Sequence, residues 1–401
     1  MVNIEPHIEV YDVQSISSTA YGNAGKIALV GAFPTSTFKL DLFTNLDDAM
    51  NALKGEYKLP NDNSVENANR EEVPATYISF YCLEYIFKNK FENSNGAESV
   101  VIYNTNYGKQ TLATSSTNAE IATALVQLAE EDFDILTIAE PIQLAKDNAL
   151  NPVCQTLKSF VNTQYLNQKP FGIITGFDLT DATEAILVAF KTLFKDKGIF
   201  KAVTTPARIN GDENSLNIAQ TGCWHSAFTA GRPVNKSETA KVYDELIGEN
   251  SKDLYPKPNE VNWEVLLNNG FHTTKYKNRR LNTVQCLSNI TPCDYDMKIE
   301  RVKNYLIKRL TLADALGDDN IRPTREYLKG LFEYEKNIAI QNNYIVDMDY
   351  NLVSVDSQTV KAELSLYIPD IIRVIILNVN LNISAYTEEA WLWERKYLML
   401  K

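Results

Sequence analysis

The sequence predicts an α/β protein, with a layered α/β domain in the middle of the chain and extended strands close to its ends. Two observations predict this class. Stretches with helix and strand patterns take turns through the middle of the chain, at the spacing typical of a largely parallel sheet covered by helices. Close to the C-terminus, apolar and polar residues alternate, which is the pattern of a strand with one buried and one exposed face.

The layered domain is predicted over residues 26–235. Its predicted strands cover residues 26–33, 98–103, 134–139, 171–175 and 199–204. Its predicted helices cover residues 42–53, 77–91, 119–130, 152–165, 180–194 and 215–230. Thr44 or Asn45 is suited to be the N-cap of the first helix, and Gly55 follows its end. A polar insertion at about residues 56–75 is typical of an exposed loop.

A second, C-terminal domain is predicted over residues 236–383. Three prolines interrupt the regular pattern between residues 231 and 258, which indicates a connection between domains. Beyond it, helices are predicted at residues 261–267, 296–310 and 324–341, and strands at residues 280–287 and 344–347. Residues 1–25 are predicted to form an N-terminal arm, and residues 384–401 a C-terminal tail.

The strands near the chain ends are expected to need partners. The apolar side of the last strand is formed by Leu377, Val379, Leu381 and Ile383. A strand with Leu364, Leu366 and Ile368 precedes it, and the N-terminal arm offers another with Ile8, Val10 and Val13. Two strands alone are not stable in water. Either the two chain ends meet within one molecule, or each end adds a strand to a neighbouring copy.

Composition narrows the classes of function. The formal net charge is −12, which argues against general binding of nucleic acid. No stretch of about 18 apolar residues predicts a membrane span, and no secretory signal is evident, so folding in the cytoplasm is expected. The five cysteines are scattered, and we expect reduced thiols.

Two loop motifs resemble ligand-binding sequences but fail on their details. The segment Gly22-Asn23-Ala24-Gly25-Lys26 lacks the spacing of a phosphate loop and precedes a strand, so Gly22 and Gly25 are interpreted as a hinge. The segment Asp347–Asn351 resembles the start of a calcium loop, but the glycine and glutamate that such a loop needs are absent. It is interpreted as a polar turn between strands.

The candidate catalytic and metal-ligating residues are few. Cys223 and His225 are close in sequence, but their positions on one helix would point the two side chains apart. Cys286 and Cys293 have no companion at metal-ligand spacing. We therefore predict no catalytic set, no metal and no cofactor.

A basic segment is the charge pattern that stands out best. The segment from His272 to Leu312 contains nine Lys or Arg but only three Asp or Glu. On the predicted helix 296–310, Lys298 and Arg301 can share a face opposite the apolar one with either Lys308 or Arg309. That face is either simply solvated or contacts an acidic protein partner.

Several segments, taken in order over nearly the full chain, resemble the contractile tail sheath proteins of phages, tailocins and related injection machines. The segments that carry the resemblance are IEVY in the arm, KIALVGAFPTSTFKLDLFTNLDDAMNALKG, RPVNKSETAKVYDELIG, NNGFHTTKYKNRRLNTVQCLSN, DMKIERVKNYLIKRL and KAELSLYIPDIIRVIILNVNLNI. The insertion near residues 61–74 and the tail after Ser384 depart from the family pattern. In place of its usual Arg-Thr-Leu-Ser, only Arg280 and Leu287-Ser288 remain.

The resemblance implies an architecture. The layered α/β domain would be the outer domain, and a smaller α+β inner domain, built from both chain ends, would face a tail tube. The extended terminal arms would exchange strands between subunits. In that case the inter-subunit strands contain Ile8, Val10, Val13, Leu377, Val379, Leu381 and Ile383. The tube-facing residues would be Lys298, Arg301, Lys308 and Arg309, with Gly22 and Gly25 as the hinge.

The resemblance also implies a function without enzymatic activity. Copies of the chain would stack as hexameric rings in a helical array around the tail tube. Contraction would drive the tube through a target envelope. The partners would be other copies, the tube protein, and baseplate and tail terminator proteins, with no nucleic acid, no membrane and no cofactor. The particle would be a virion tail or an extracellular contractile particle, assembled in the host cytoplasm.

An alternative remains a soluble α/β enzyme or small-molecule-binding protein. Its ligand would bind at the carboxyl ends of the central strands. This hypothesis predicts that ionisable groups converge near Asp178, Thr205 and His225.

Overall fold

The computed structural model describes residues 25–60, 62, 64, 67, 69–87, 97–167, 169–209, 217–239, 242–247, 263–278, 283–310, 322–354 and 360–369. The strands among them are β1 (Lys26–Gly31), β2 (Leu40–Phe43), β3 (Ser99–Asn104), β4 (Ile135–Ile138), β5 (Ile142–Gln143), β6 (Ala145–Lys146), β7 (Ala149–Leu150), β8 (Gly172–Asp178), β9 (Ile199–Val203), β10 (Arg208–Ile209), β11 (Val242–Ile247), β12 (Phe271–Asn278), β13 (Thr283–Ser288), β14 (Asp347–Ser354) and β15 (Val360–Tyr367). The helices are α1 (Leu46–Leu53), α2 (Ile78–Phe87), α3 (Asn118–Leu128), α4 (Pro152–Leu166), α5 (Glu184–Phe194), α6 (Ile218–Ala230), α7 (Trp263–Asn268), α8 (Met297–Arg309) and α9 (Arg322–Gln341).

A large mixed sheet organises the fold. Its strand order is β10-β11-β13-β12-β9-β8-β4-β1-β3-β2, with β5 paired to β8 off this path. The strands from β3 to β12 in this order run parallel, whereas β2 at one end and β13, β11 and β10 at the other pair antiparallel. In the centre, Ile27 of β1 lies between Val100 and Ile135. The α/β class predicted from the sequence is therefore confirmed.

Helices cover both faces of the parallel strands. Along β1, Ile27 and Leu29 belong to a core with α1, α2 and α6, and Ala28 and Val30 belong to a core with α3, α4 and α5. Because both faces are buried, these strands are continuously apolar rather than alternating. That is why the sequence marks them so clearly.

Capping side chains set where several helices begin. The Asn45 side chain accepts a hydrogen bond from the Asp48 amide at 2.9 Å, which confirms the predicted N-cap of α1. Thr117 and Glu120 form a reciprocal capping box at the start of α3. Gly55 follows α1 at φ +60°, a left-handed conformation that favours glycine. The helix starts later than predicted because residues 42–43 belong to the edge strand β2.

The large sheet continues past residue 235. The strand β12 pairs parallel with β9, with Phe271 opposite Ala202, and β13 and β11 extend the sheet further. Both β11 and β12 were absent from the predicted elements, and β13 begins later than the predicted strand 280–287. The predicted boundary at residue 235 remains a proposal, but the hydrogen-bonded sheet crosses it.

A third, smaller core is formed by α8, α9 and the β14–β15 hairpin. Its fully buried members include Val302, Leu306, Phe332 and Met348, and Val234 joins them from the preceding connection. The predicted polar turn at Asp347–Asn351 is wrong, because this segment is the first half of β14. Met348 is buried, whereas its neighbours in sequence, Asp347 and Asp349, are polar. This alternation of buried and polar residues is the pattern of a half-buried strand.

Candidate functional site

The β14–β15 hairpin, here called the ribbon, is the candidate assembly element. Its two strands pair antiparallel without a register shift, from Asp347 opposite Tyr367 to Ser354 opposite Val360. The predicted strand around Leu364 and Leu366 is confirmed as β15. Its nearest partner in sequence, β14, begins where the predicted strand 344–347 ends, because the aspartates that follow were interpreted as a turn. Among the described residues the ribbon has only two strands, so each strand keeps one edge without a partner strand.

Apolar side chains in and next to the ribbon are also exposed. Val346 is 65% exposed, Leu364 37% and Tyr367 51%. The inner side packs on α9, where the rings of Phe332 and Tyr350 are 5.2 Å apart. An open strand edge next to exposed apolar groups is the arrangement that strand addition uses.

Most residues predicted for strand exchange lie outside the described residues. They are Ile8, Val10, Val13, Leu377, Val379, Leu381 and Ile383, together with the hinge residue Gly22. Their roles stay predictions. Gly25 is described, and it is buried at the start of β1. Its carbonyl accepts a hydrogen bond from the Glu98 amide at 2.7 Å, and a Cβ there would lie 2.7 Å from the Glu98 Cβ. Gly25 thus permits a close approach of two chain segments, and its hinge role stays a prediction.

The basic residues of α8 share a face of the helix, but that face does not point to solvent. Lys298 is 7% exposed and Arg301 is 2% exposed. The Arg301 guanidinium donates to the carbonyl oxygens of Arg232 at 2.8 Å and Pro233 at 3.3 Å. The interpretation of a simply solvated face is therefore wrong for these two residues.

The two remaining basic residues are half-buried and paired within the chain. Lys308 donates to Asp134 at 2.8 Å, to Asp132 at 3.1 Å and to the Phe133 carbonyl at 2.7 Å. Arg309 binds both carboxylate oxygens of Glu335, at 2.9 and 3.1 Å. Sequence reasoning missed these pairs because the acidic partners lie on other elements. Contact of the four basic residues with a tube stays a prediction.

Two lysines hold the Asp132 carboxylate, just before β4, in the charged form. Burial alone would raise the pKa of Asp132, but Lys308 and Lys26 together hold that pKa below its ordinary value. The contact fixes α8 against the α/β domain. Its charges therefore serve the packing of one part of the chain on another.

The crevice where an α/β enzyme would bind its ligand is filled by the chain itself. In the sheet, β3 and β4 are the two neighbours of β1, one on each side. The direction in which strands are added therefore reverses after β3, and the topological switch point lies between β1 and β4. The buried Glu140 carboxylate lies there and accepts hydrogen bonds from the Ala32 amide at 2.7 Å and from the Ser116 amide and hydroxyl at 2.6 Å. A carboxylate directly after a buried strand was the available signal, and sequence reasoning did not use it.

Two buried asparagines close the neighbouring part of the same edge. The Asn104 side chain accepts from the Phe33 amide at 3.1 Å and donates to the Thr35 carbonyl at 2.6 Å. The Asn106 side chain donates to the carbonyls of Phe33 at 2.8 Å and Ala113 at 2.7 Å. Because these polar groups are saturated by backbone groups, they have little capacity left for a ligand.

Ionisable groups do converge near His225, in the interior beneath α6. The His225 ring lies 4.6 Å from the His272 ring, and the Cys286 sulfur lies 3.9 Å from His272 Nδ1. Lys201 forms a buried ion pair with Glu238, which also accepts from the Tyr243 hydroxyl at 3.0 Å. The members Lys201, His225 and Glu238 are at most 1% exposed, so a substrate has no access to them from the solvent.

Burial controls the protonation of this cluster. It lowers the pKa of His225 far below the ordinary value and that of His272 to about 3. Burial would raise the pKa of Glu238, but the Lys201 ammonium keeps it below the ordinary value. Two neutral imidazoles and one ion pair are thus packed in the core. Asp178 is separate from them, since its carboxylate accepts from the amide and hydroxyl of Thr180. The buried Thr205 hydroxyl has no partner among the described residues.

The described part of the chain has neither a membrane-spanning helix nor a cluster of metal ligands. Among its helices, none has the length and apolar character needed to cross a membrane. No group of three or more His, Cys, Asp or Glu side chains there is arranged to hold a metal ion.

Comparison with known proteins identifies the fold. No protein-family model matches the sequence, and no curated protein matches it. Among solved structures, the sheath of the extracellular contractile injection system PVC, in its contracted state, matches with a TM-score of 0.57 at 13% identity and covers 96% of this chain and 100% of its own. The sheath tail protein of Listeria innocua matches with a TM-score of 0.56 at 13% identity, over 88% of this chain and 97% of its own.

A third match is the sheath tail protein of Desulfitobacterium hafniense, with a TM-score of 0.54 at 12% identity, over 87% of this chain and 97% of its own. These three chains share a layered architecture over most of this chain's length. The fold is therefore that of contractile tail sheath proteins.

Proposed function

We propose that this protein is a structural subunit of a contractile tail sheath. The observation that carries the proposal is the similarity to a sheath chain over 96% of this chain, far more than the α/β domain predicted over residues 26–235 would account for. A chain that shared only a common α/β domain with sheath proteins would support no such conclusion.

In this function the ribbon receives strands from other copies. Its two strands have open edges within the described residues, and the segments that sequence patterning marks as strands, around Val10 and Leu381, supply candidate partners. Main-chain hydrogen bonds across such an edge tether subunits without requiring a fixed orientation of the α/β domains. Subunits can then rotate and slide during contraction while they remain linked.

The proposal extends to the assembly and its location. Copies would form stacked hexameric rings around a tail tube, joined at the ends by baseplate and terminator proteins. The subunit would have no enzymatic activity, because the crevice between β1 and β4 is filled by Glu140 and the histidine cluster is buried. The particle would be a virion tail or an extracellular injection device that is assembled in a host cytoplasm.

A truncation tests the strand-exchange part of the proposal. Deletion of residues 1–20 removes the strand that the sequence predicts around Val10 and does not reach β1. We expect the truncated protein to keep the circular dichroism spectrum and melting temperature of the full chain, while its large assemblies disappear in sedimentation velocity. Deletion of residues 391–401, beyond the predicted strands, is the matched control. Normal assembly of the first truncation would contradict strand exchange by the arm.

A further inference from the structure

A cavity of about 200 Å³ lies between α8 and the amino ends of the parallel strands, at the opposite edge of the sheet from the filled crevice. Helix α8 lines it with Arg301, Asn304 and Lys308, which follow one another at intervals of one turn. Its remaining walls include the apolar side chains of Phe200 and Val234. Part of the basic face of α8 therefore lines a partly open cavity.

Arg301 is a buried cation without a carboxylate partner. Its side chain is 2% exposed, and no carboxylate of the described residues lies within ion-pair distance of it. Two of its nitrogens donate to backbone carbonyls, but its Nε has no acceptor among the described residues. Burial lowers the pKa of Arg301 to about 10, so the guanidinium remains charged at neutral pH. Glu238 and Asp134 attract this charge from a distance, but they offset only part of the cost of its burial. An anion that enters the cavity would offset more of that cost.

A second donor lies one turn away. Asn304 is 5% exposed, and its side-chain oxygen accepts a hydrogen bond from the Tyr165 hydroxyl. Its Nδ2 has no acceptor within the described part of the chain. The other charged groups at the cavity are already balanced, since Lys308 pairs with Asp134 and Arg309 pairs with Glu335. Two unused donors on one helix face match the two oxygens of a carboxylate.

The size and walls of the cavity restrict the rest of the ligand. At about 30 Å³ per water, its volume corresponds to roughly six or seven waters, which is more than one small ion needs. It is smaller than the pockets of about 300 Å³ or more that hold drug-sized ligands. Apolar walls beside polar donors favour a ligand with a short apolar stem.

We propose that this cavity binds a carboxylate carried on a short apolar stem, with Arg301 and Asn304 as the carboxylate-binding residues. Such a group can come from a free monocarboxylic acid or from an acidic side chain of another copy of this chain. Both sources present the same chemistry to the cavity. The experiment below separates them.

Benzoate and its neutral analogue benzamide are the probes. In thermal unfolding of the full-length protein, we expect benzoate to raise the melting temperature in a saturable way, because it binds only the folded state. Benzamide, which has the same shape but no charge, should leave the melting temperature unchanged. Equal responses to the two probes, or no response to benzoate, would overturn the proposal.

Two variants locate the effect. Arg301→Met should abolish the response to benzoate, and Lys329→Gln, an exposed position that does not line the cavity, should leave it unchanged. Asn304→Asp keeps an acceptor for Tyr165 and places a carboxylate one turn from Arg301. We expect it to raise the melting temperature without any probe and to abolish the benzoate response. If Arg301→Met does not fold, this variant still tests whether Arg301 and Asn304 form the binding site. A response that persists in Asn304→Asp would overturn the assignment of these residues.

Sedimentation of the protein with and without benzoate identifies the source. Benzoate that binds and also weakens self-association points to an acidic side chain of another copy, whereas binding with unchanged self-association points to a free acid. Only the sedimentation experiment rests on the proposed sheath function. Failure of benzoate to bind would leave the sheath proposal intact, and failure of the protein to assemble would leave the binding result intact.

Discussion

The α/β domain and the ribbon differ in how far each is completed by its own chain. In the α/β domain, helices cover both faces of the parallel strands, and even the polar groups at the switch point, such as Glu140 and Asn104, find partners within the chain. In the ribbon, two strands have open edges among the described residues, and Leu364 and Tyr367 are exposed. The difference indicates that the first region supports a stable subunit and that the second is available for assembly.

The largest effect is expected at the filled crevice. Replacement of Glu140 by Ala removes the acceptor for the buried Ala32 amide and for the partly buried Ser116 amide. The expected loss is about 3 kcal/mol of unfolding free energy, because hydrogen bonds to a charged acceptor are strong and unpaired buried donors are costly. Chemical denaturation measures it, and Glu140→Gln should lose less. An unchanged stability would mean that the crevice is open to solvent and would weaken the comparison.

The next effect is a pH dependence that originates in the core of the α/β domain. The pKa of His272 is about 3 in the folded protein against about 6.5 when unfolded, so the unfolded state binds the extra proton first as pH falls. Stability is therefore fully present above about pH 6.5 and is lost progressively below it, by about 2 kcal/mol from this histidine at pH 5. The pKa of His225 is shifted in the same direction.

Denaturation midpoints between pH 7 and pH 5 measure this effect. The variant His272→Asn should flatten the pH dependence, although it lowers stability at pH 7. A slope unchanged by the substitution would place the acid-sensitive group elsewhere.

Substitution of one glycine in each region is expected to change stability in opposite directions. Gly25→Ala adds a Cβ 2.7 Å from the Glu98 Cβ in the α/β domain, and we expect a loss of about 1–3 kcal/mol from overpacking. Gly330 lies on the exposed side of α9, the helix beneath the ribbon, and an added Cβ meets nothing within 4 Å. Gly330→Ala should stabilise the protein by about 0.5–1 kcal/mol, because alanine is the better helix former. Thermal unfolding of both variants checks the opposite signs.

The smallest effect on the isolated subunit is expected at the open edge of β15. The Tyr367 carbonyl accepts from the Val346 amide at 2.6 Å, so Tyr367 directs its backbone groups toward β14, and Leu364, three positions away, directs its own to the free edge. Leu364→Pro removes a donor only from that edge. We expect a stability change under about 1 kcal/mol together with loss of assembly in sedimentation.

The matched control is Ser365→Pro, at the neighbouring position whose amide faces β14. That substitution should destabilise the ribbon itself. If Leu364→Pro assembles like the unmodified protein, the open edge of β15 is not an assembly surface.

The sequence predicted the elements that depend on local patterns and failed where partners are distant. Buried strands such as β1 and the cap at Asn45 follow from neighbouring residues, and both were predicted correctly. The strand β12 was missed because polar residues follow Phe271, although that residue pairs with Ala202 in the core of the sheet. The ion pair of Lys308 in α8 was missed because its partner Asp134 is 174 residues away in sequence.

The candidate sites follow the same rule. Period-two patterning marked β15, but no local pattern shows that Glu140 fills a crevice or that Arg301 lines a cavity. Those properties arise only when helices and strands pack. Site residues whose role depends on their burial in the folded protein are therefore the hardest to predict from the sequence.

Negative-stain electron microscopy of the purified full-length protein tests the central claim most directly. If the ribbon and the chain ends complete structure in adjacent copies, the images should show stacked rings or hollow tubes that form without added cofactors. A protein that stays a single compact particle at high concentration, and binds a small ligand between β1 and β4, would contradict the assignment as a sheath subunit.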